Sequence, residues 1–192
     1  MKYVSTALLT LMLASLTAIL AACDGGGGNS ADPRAASESV IHWPSIVGVI
    51  TAQDVDNPVA DIDSGTFAWT TSDGEAAVDL NSGAAFFQIE GLVINGTMFA
   101  GTPGPVTEVI GSLVCNPGQA DNGNSIEAVY STPPVPLSAD GNAGFSGSVG
   151  SIKNPCDNPL FLVRISQPAG ALGRWIATGG VSSFGNHLFN DE

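Results

Sequence analysis

The sequence predicts an all-β protein, an antiparallel β-sandwich with a small β-barrel as the alternative, following an N-terminal signal peptide and a flexible tether. Three observations predict it. Short runs rich in Val, Ile, Phe and Thr recur from Ile41 onward, with Gly, Pro, Asn or Asp breaking them at roughly the 8–12-residue spacing of strands. No segment carries the i, i+3, i+4 apolar spacing of an amphipathic helix, so the helical crossovers that parallel strands need are missing. Three dipeptides, Asp73-Gly74, Asn95-Gly96 and Asp140-Gly141, offer the φ > 0 residues of type I′ hairpin turns, which join antiparallel neighbours.

The elements follow in chain order. Residues 1–22 place Lys2 ahead of an apolar run from Ala7 to Ala22, the pattern of a secretory signal peptide and short of the roughly 17–25 residues of a membrane span. The run ends in Leu20-Ala21-Ala22-Cys23, which resembles the lipobox of bacterial lipoprotein precursors. That resemblance implies a mature chain beginning at Cys23, acylated on its sulfur and held at a bacterial membrane, in the periplasm or at the cell surface. Residues 23–39 then read as the lipidated Cys and a tether, with Gly25 to Gly28 in a row and nothing apolar to bury. Residues 40–192 read as a single β-rich domain. Its predicted strands are 46–52, 66–71, 76–80, 85–89, 91–94, 97–100, 106–115, 125–130, 135–138, 144–149, 160–165 and 174–178. Gly-Ser-Leu-Val-Cys from 111 and Leu-Phe-Leu-Val-Arg from 160 are expected on neighbouring strands. The half of the chain from Val106 is also similar to stretches in secreted bacterial proteins of unknown function, a resemblance that implies no particular activity.

Composition narrows the partners. Eighteen acids against five bases give a net charge of −13, and so few cations cannot neutralise a phosphate backbone, which excludes nucleic acid as a partner. The 24 Gly and 12 Pro together make up about a fifth of the 192 residues, below the roughly 25–30% that marks low complexity. With Cys23 assigned to lipid, Cys115 and Cys156 remain as an even pair in an oxidising compartment, and a disulfide between them is expected.

Chemistry-bearing patterns are sparse. Gly144-Phe145-Ser146-Gly147 is one residue short of a nucleophile elbow, so Ser146 reads as a sheet or turn hydroxyl. His42 and His187 read as surface residues, and Trp43, Trp69 and Trp175 as core rings rather than a sugar-stacking platform. Arg164, set among apolar neighbours, is expected either to point to solvent or to make a buried carboxylate pair. The densest cluster is acidic: Asp54, Asp56, Asp61 and Asp63 offer hard oxygen ligands at a spacing of two, which suits calcium, although the run lacks the Asp-x-Asp-x-Asp-Gly order and closing Glu of an EF-hand. The competing reading is a solvated acidic turn whose carboxylates cap backbone N–H groups. The expected function is a lipid-anchored, non-catalytic binding or structural module with a protein or glycan ligand and no required cofactor. A calcium-stabilised adhesion-type domain and a carboxylate-dependent extracytoplasmic hydrolase are the alternatives.

Overall fold

The computed structural model describes residues 39–50, 55, 57–118, 127–153, 155–180 and 183–184. The signal peptide, Cys23, the tether up to residue 38, Asp54, Asp56 and His187 lie outside them, while Ser39, expected in the tether, is buried and accepts the Leu80 N–H.

The described chain is all-β, with one short 3₁₀ turn at Pro168–Gly170. Its strands are β1 (Val40–Trp43), β2 (Ile46–Gly48), β3 (Ala68–Thr70), β4 (Asp73–Asp79), β5 (Ala84–Glu90), β6 (Val93–Asn95) and β7 (Glu108–Cys115), followed by β8 (Ala128–Ser131), β9 (Val135–Pro136), β10 (Ala143–Ser148), β11 (Leu160–Gln167), β12 (Ala171–Gly179) and β13 (Ser183–Phe184). One sheet runs β10-β5-β4-β1-β13 and a second β2-β12-β11-β7-β8, with β9 also on β7; β3 and β6 form a separate pair. Every strand pairing is antiparallel.

Alternation sets which face each strand buries. In β5, Ala85, Phe87 and Ile89 are buried while Ala84, Phe86, Gln88 and Glu90 are exposed, the period of two that a half-buried strand requires. β4 repeats it with Gly74, Ala76 and Val78 inward. β7 is different, buried from Val109 through Cys115, and its near-continuous apolar run suits a strand covered on both faces. The two sheets meet through aromatic rings: Trp43 of β1 and Phe87 of β5 lie 5.6 and 5.8 Å from Phe161 of β11, centroid to centroid. Gly111 makes this possible, since a Cβ there would come within 3 Å of both the Phe87 and Phe161 rings. Each fully buried ring or branched chain contributes on the order of 1.5–3 kcal/mol.

The sheets are joined at one edge by a sharp corner. β1 ends at Trp43 in the first sheet and β2 begins at Ile46 in the second, with only Pro44 and Ser45 between; the Gly180 N–H donates to the Ser45 carbonyl at 2.8 Å and fixes the bend. Along the far side, β9 and β10 are connected by the turn at 137–142, where Gly141 adopts φ 80° and its N–H bonds to the Ser138 carbonyl; Asp140-Gly141 is thus not the expected hairpin turn, because β9 pairs with β7 and β10 with β5 in different sheets.

Several predicted features are relocated. Residues 97–100 form a turn, not a strand: Asn95-Gly96 does not close a two-residue hairpin, because Ile94 bonds to Thr102 and Gly101 while the Thr97 side chain accepts the Phe99 N–H. β6 pairs instead with β3, Trp69 opposite Ile94. Asp73-Gly74 lies inside β4, where Gly74 faces inward because a Cβ would meet the Ile46 side chain at 3.0 Å. β1, β13 and the N-terminal third of β12 were not among the predicted strands. The expected neighbours at 111 and 160 do pair, as β7 and β11, with Leu160 opposite Val114.

Candidate functional site

The acidic loop is held by turn chemistry and one ion pair. Val59 and Ile62 exchange two backbone hydrogen bonds, of 3.0 and 2.9 Å, around Ala60 and Asp61, both at positive φ (51° and 55°), which is a type I′ turn. Asp63 lies 3.6 Å from a guanidinium nitrogen of Arg174, which also donates to the Ser64 carbonyl at 2.8 Å. The Trp175 N–H donates to the Asp63 carbonyl, and its indole N–H to that of Asn57, so the loop is laced to β12. Among the described residues no three His, Cys, Asp or Glu side chains converge as a metal cluster, and Asp54 and Asp56 are not among those residues.

The disulfide between Cys115 and Cys156 is formed, with Cα atoms 4.7 Å apart. Asn116, at φ 54°, reinforces it: its side chain donates to the Pro155 carbonyl and accepts the Asp157 N–H, tying the end of β7 to the segment entering β11.

The aromatic residues resolve as core. Trp43, Trp69 and Trp175 are 1, 2 and 4% exposed, so none offers a ring face for stacking a sugar. Arg164 is buried by β7 and β12, opposite Ile110 and Trp175, and its Nε donates to the Gly173 carbonyl at 2.9 Å. Neither expected arrangement applies: it does not point to solvent, and its hydrogen bond goes to a backbone carbonyl, with burial lowering its pKa from the ordinary value. Ser146 is exposed in the middle of β10, the sheet hydroxyl the sequence implies.

What the sequence did not mark is the outer face of the β10-β5-β4-β1 sheet. Period-two alternation sends His42, Asp73, Glu75, Phe86, Gln88, Glu90 and Ser146 to that side, and the register sets Glu75 opposite Gln88, Asp73 opposite Glu90 and Ser146 opposite Phe86. His42 Nε2 lies 3.2 Å from a Glu75 carboxylate oxygen. An open groove of about 650 Å³ runs along β10 and β5, lined by Phe86, Gln88, Glu90, Asn142, Phe145 and Ser146 with Pro136 of β9. A second, polar cleft of about 260 Å³ adjoins it, sharing Gln88 and Glu90 and adding Asp73, Glu75 and Pro44. The groove has apolar walls and a few polar groups, the composition of a binding cleft. At the far end of β4, the Asp79 carboxylate accepts from the Asn81 N–H at 2.9 Å and the Ser82 hydroxyl at 2.6 Å. Partial burial pushes its pKa up, but these bonds and one from Ser39 outweigh that and hold it below the usual carboxylate value. Only the alternation of β5 could have pointed to this surface, and no motif accompanies it.

Comparison with protein-family models, curated proteins and solved structures finds no match to the chain.

Proposed function

We propose that the chain is a lipid-anchored, extracytoplasmic binding module without catalytic function, which takes its ligand in the groove along β10 and β5. The groove itself carries the reading: it combines the exposed Phe86 with hydrogen-bonding Gln88, Asn142 and Ser146 on a sheet whose other face is packed core, a rigid base for recognition. The lipobox-like Leu20-Ala21-Ala22-Cys23 supports export and anchoring, and the buried disulfide suits an oxidising compartment. A ligand met outside the cell by such a module is a peptide or a glycan.

The test is retention of the full chain on arrays of immobilised peptides and glycans, beside a Phe86→Ser variant. The expected result is saturable retention on one class, weakened roughly tenfold by the substitution, as for loss of a single apolar contact at a binding surface. Retention on neither class, or retention indifferent to Phe86→Ser, overturns the proposal.

A further inference from the structure

Resting on the binding-module reading, we infer that the groove's occupant is an extended segment of a partner protein, rich in Lys or Arg, that adds to the open edge of β10 as a further strand.

The edge is unguarded. β10 ends its sheet, pairs with β5 over six residues without a register shift, and among the described residues shares no backbone hydrogen bond with a strand on its other side. Its sequence, Ala-Gly-Phe-Ser-Gly-Ser, holds no charge and no Pro, and Gly144, Ser146, Gly147 and Ser148 are exposed. Proteins ordinarily blunt such an edge with Lys, Pro, a bulge or a very short strand. The other edges here are blunted by length: β2 has three residues, β8 four, and β9 two including Pro136. An incoming strand would satisfy the outward N–H and C=O groups of β10, and its side chains on one face would fall beside Phe86 and Ser146.

Charge selects the occupant. The groove opens into the cleft lined by Asp73, Glu75 and Glu90, on a chain of net charge −13. A second copy would bring its own acids toward these, and like charges face to face oppose association. A basic strand instead places an ammonium or guanidinium beside Glu90 while an apolar side chain four residues along reaches Phe86, because alternate residues share a face.

The probe is a short fluorescent Lys peptide, Lys-Thr-Ser-Thr-Val-Thr-Lys, which sets its Lys and Val side chains on one face, with the same peptide carrying Glu for Lys (the Val–Glu peptide) as its control, titrated against the full chain by anisotropy and followed by amide hydrogen exchange. Saturable binding of the Lys peptide alone is expected, with new protection confined to residues 143–148. Ser146→Lys, which places a cation on the edge, and Glu90→Gln, which removes one from the acidic set, should each weaken it roughly tenfold; both sites are exposed, so folding is spared. Failure of the Lys peptide to saturate, equal binding of the Val–Glu peptide, or protection outside β10 overturns strand addition. A dimer in sedimentation that Ser146→Lys abolishes would give the edge to a second copy and overturn the peptide partner. If glycans are retained through Phe86 while the Lys peptide is not bound, strand addition falls and the binding module stands.

Discussion

Ala60 occupies a conformation that its side chain resists. In the type I′ turn between Val59 and Ile62 both central residues sit at positive φ, where a Cβ costs about 1 kcal/mol and where Asn-Gly is the preferred pair. Asp61 tolerates this region better than Ala because its short polar chain bonds locally. Replacing the turn by Ala60→Asn together with Asp61→Gly should stabilise the domain by about 1 kcal/mol and raise the thermal midpoint by roughly 2–4 °C. The substitution also removes a carboxylate assigned to calcium in the sequence. A midpoint that falls in calcium-containing buffer, and not in chelator, would show that Asp61 serves as a ligand rather than as a turn residue. Asp63 has a cation beside it, the Arg174 guanidinium 3.6 Å from its carboxylate.

At the scale of elements, the central strands were the most legible. Ala84–Glu90 alternates so regularly that its buried set follows from the letters alone, and the apolar runs at 111 and 160 announced β7 and β11 because strands buried on both faces have few polar interruptions, here Ser112 and Arg164. Short elements were not legible: Val40–Trp43 is four residues beside Pro44, and its strand character comes from pairing with β4 on one side and β13 on the other. None of the three turn dipeptides joins paired neighbours: a Gly chosen for space at Gly74 reads the same as one chosen for φ, Asn95-Gly96 leads into a turn, and Asp140-Gly141 carries the chain from one sheet to the other. The candidate groove was invisible, because it is made where β5, β9 and β10 converge across more than fifty residues of sequence. The disulfide is the element-scale feature predicted by pairing the two cysteines left once Cys23 is set aside. Closing a loop with a separation of 41 residues stabilises by about 3–4 kcal/mol in the chain-entropy account. Cys115→Ala with Cys156→Ala should therefore lower the thermal midpoint by on the order of 10 °C. A double variant melting within a degree or two of the parent would show that the bonds of Asn116 already hold β7 to the β11 entry.

For the whole molecule, the anchoring proposed at Cys23 would decide where the groove acts. Cys23→Ser removes the thiol to which the lipobox-like motif directs acylation, and a chain without acyl groups has no hydrophobic attachment of that kind. Metabolic labelling with palmitate should mark the parent and leave the variant unlabelled, with the variant recovered as uncleaved precursor or in the soluble fraction. An unlabelled parent, or a variant that is labelled and membrane-bound like the parent, would refute lipidation at Cys23.

The corner at Pro44 and Ser45 also has a mechanical meaning. It works as the spine of a book, since two residues and the Gly180–Ser45 bond allow little play between the sheets on that side. The fore-edge along β10 is clasped as well, by the turn at 137–142, where the Leu137 N–H donates to the Thr107 carbonyl and the Leu92 N–H to that of Gly141. A book clasped on both sides keeps its covers at a set distance, so the groove is carried on the outside of one cover, and its discrimination rests on the charge and backbone edge of that cover rather than on any opening of the pages.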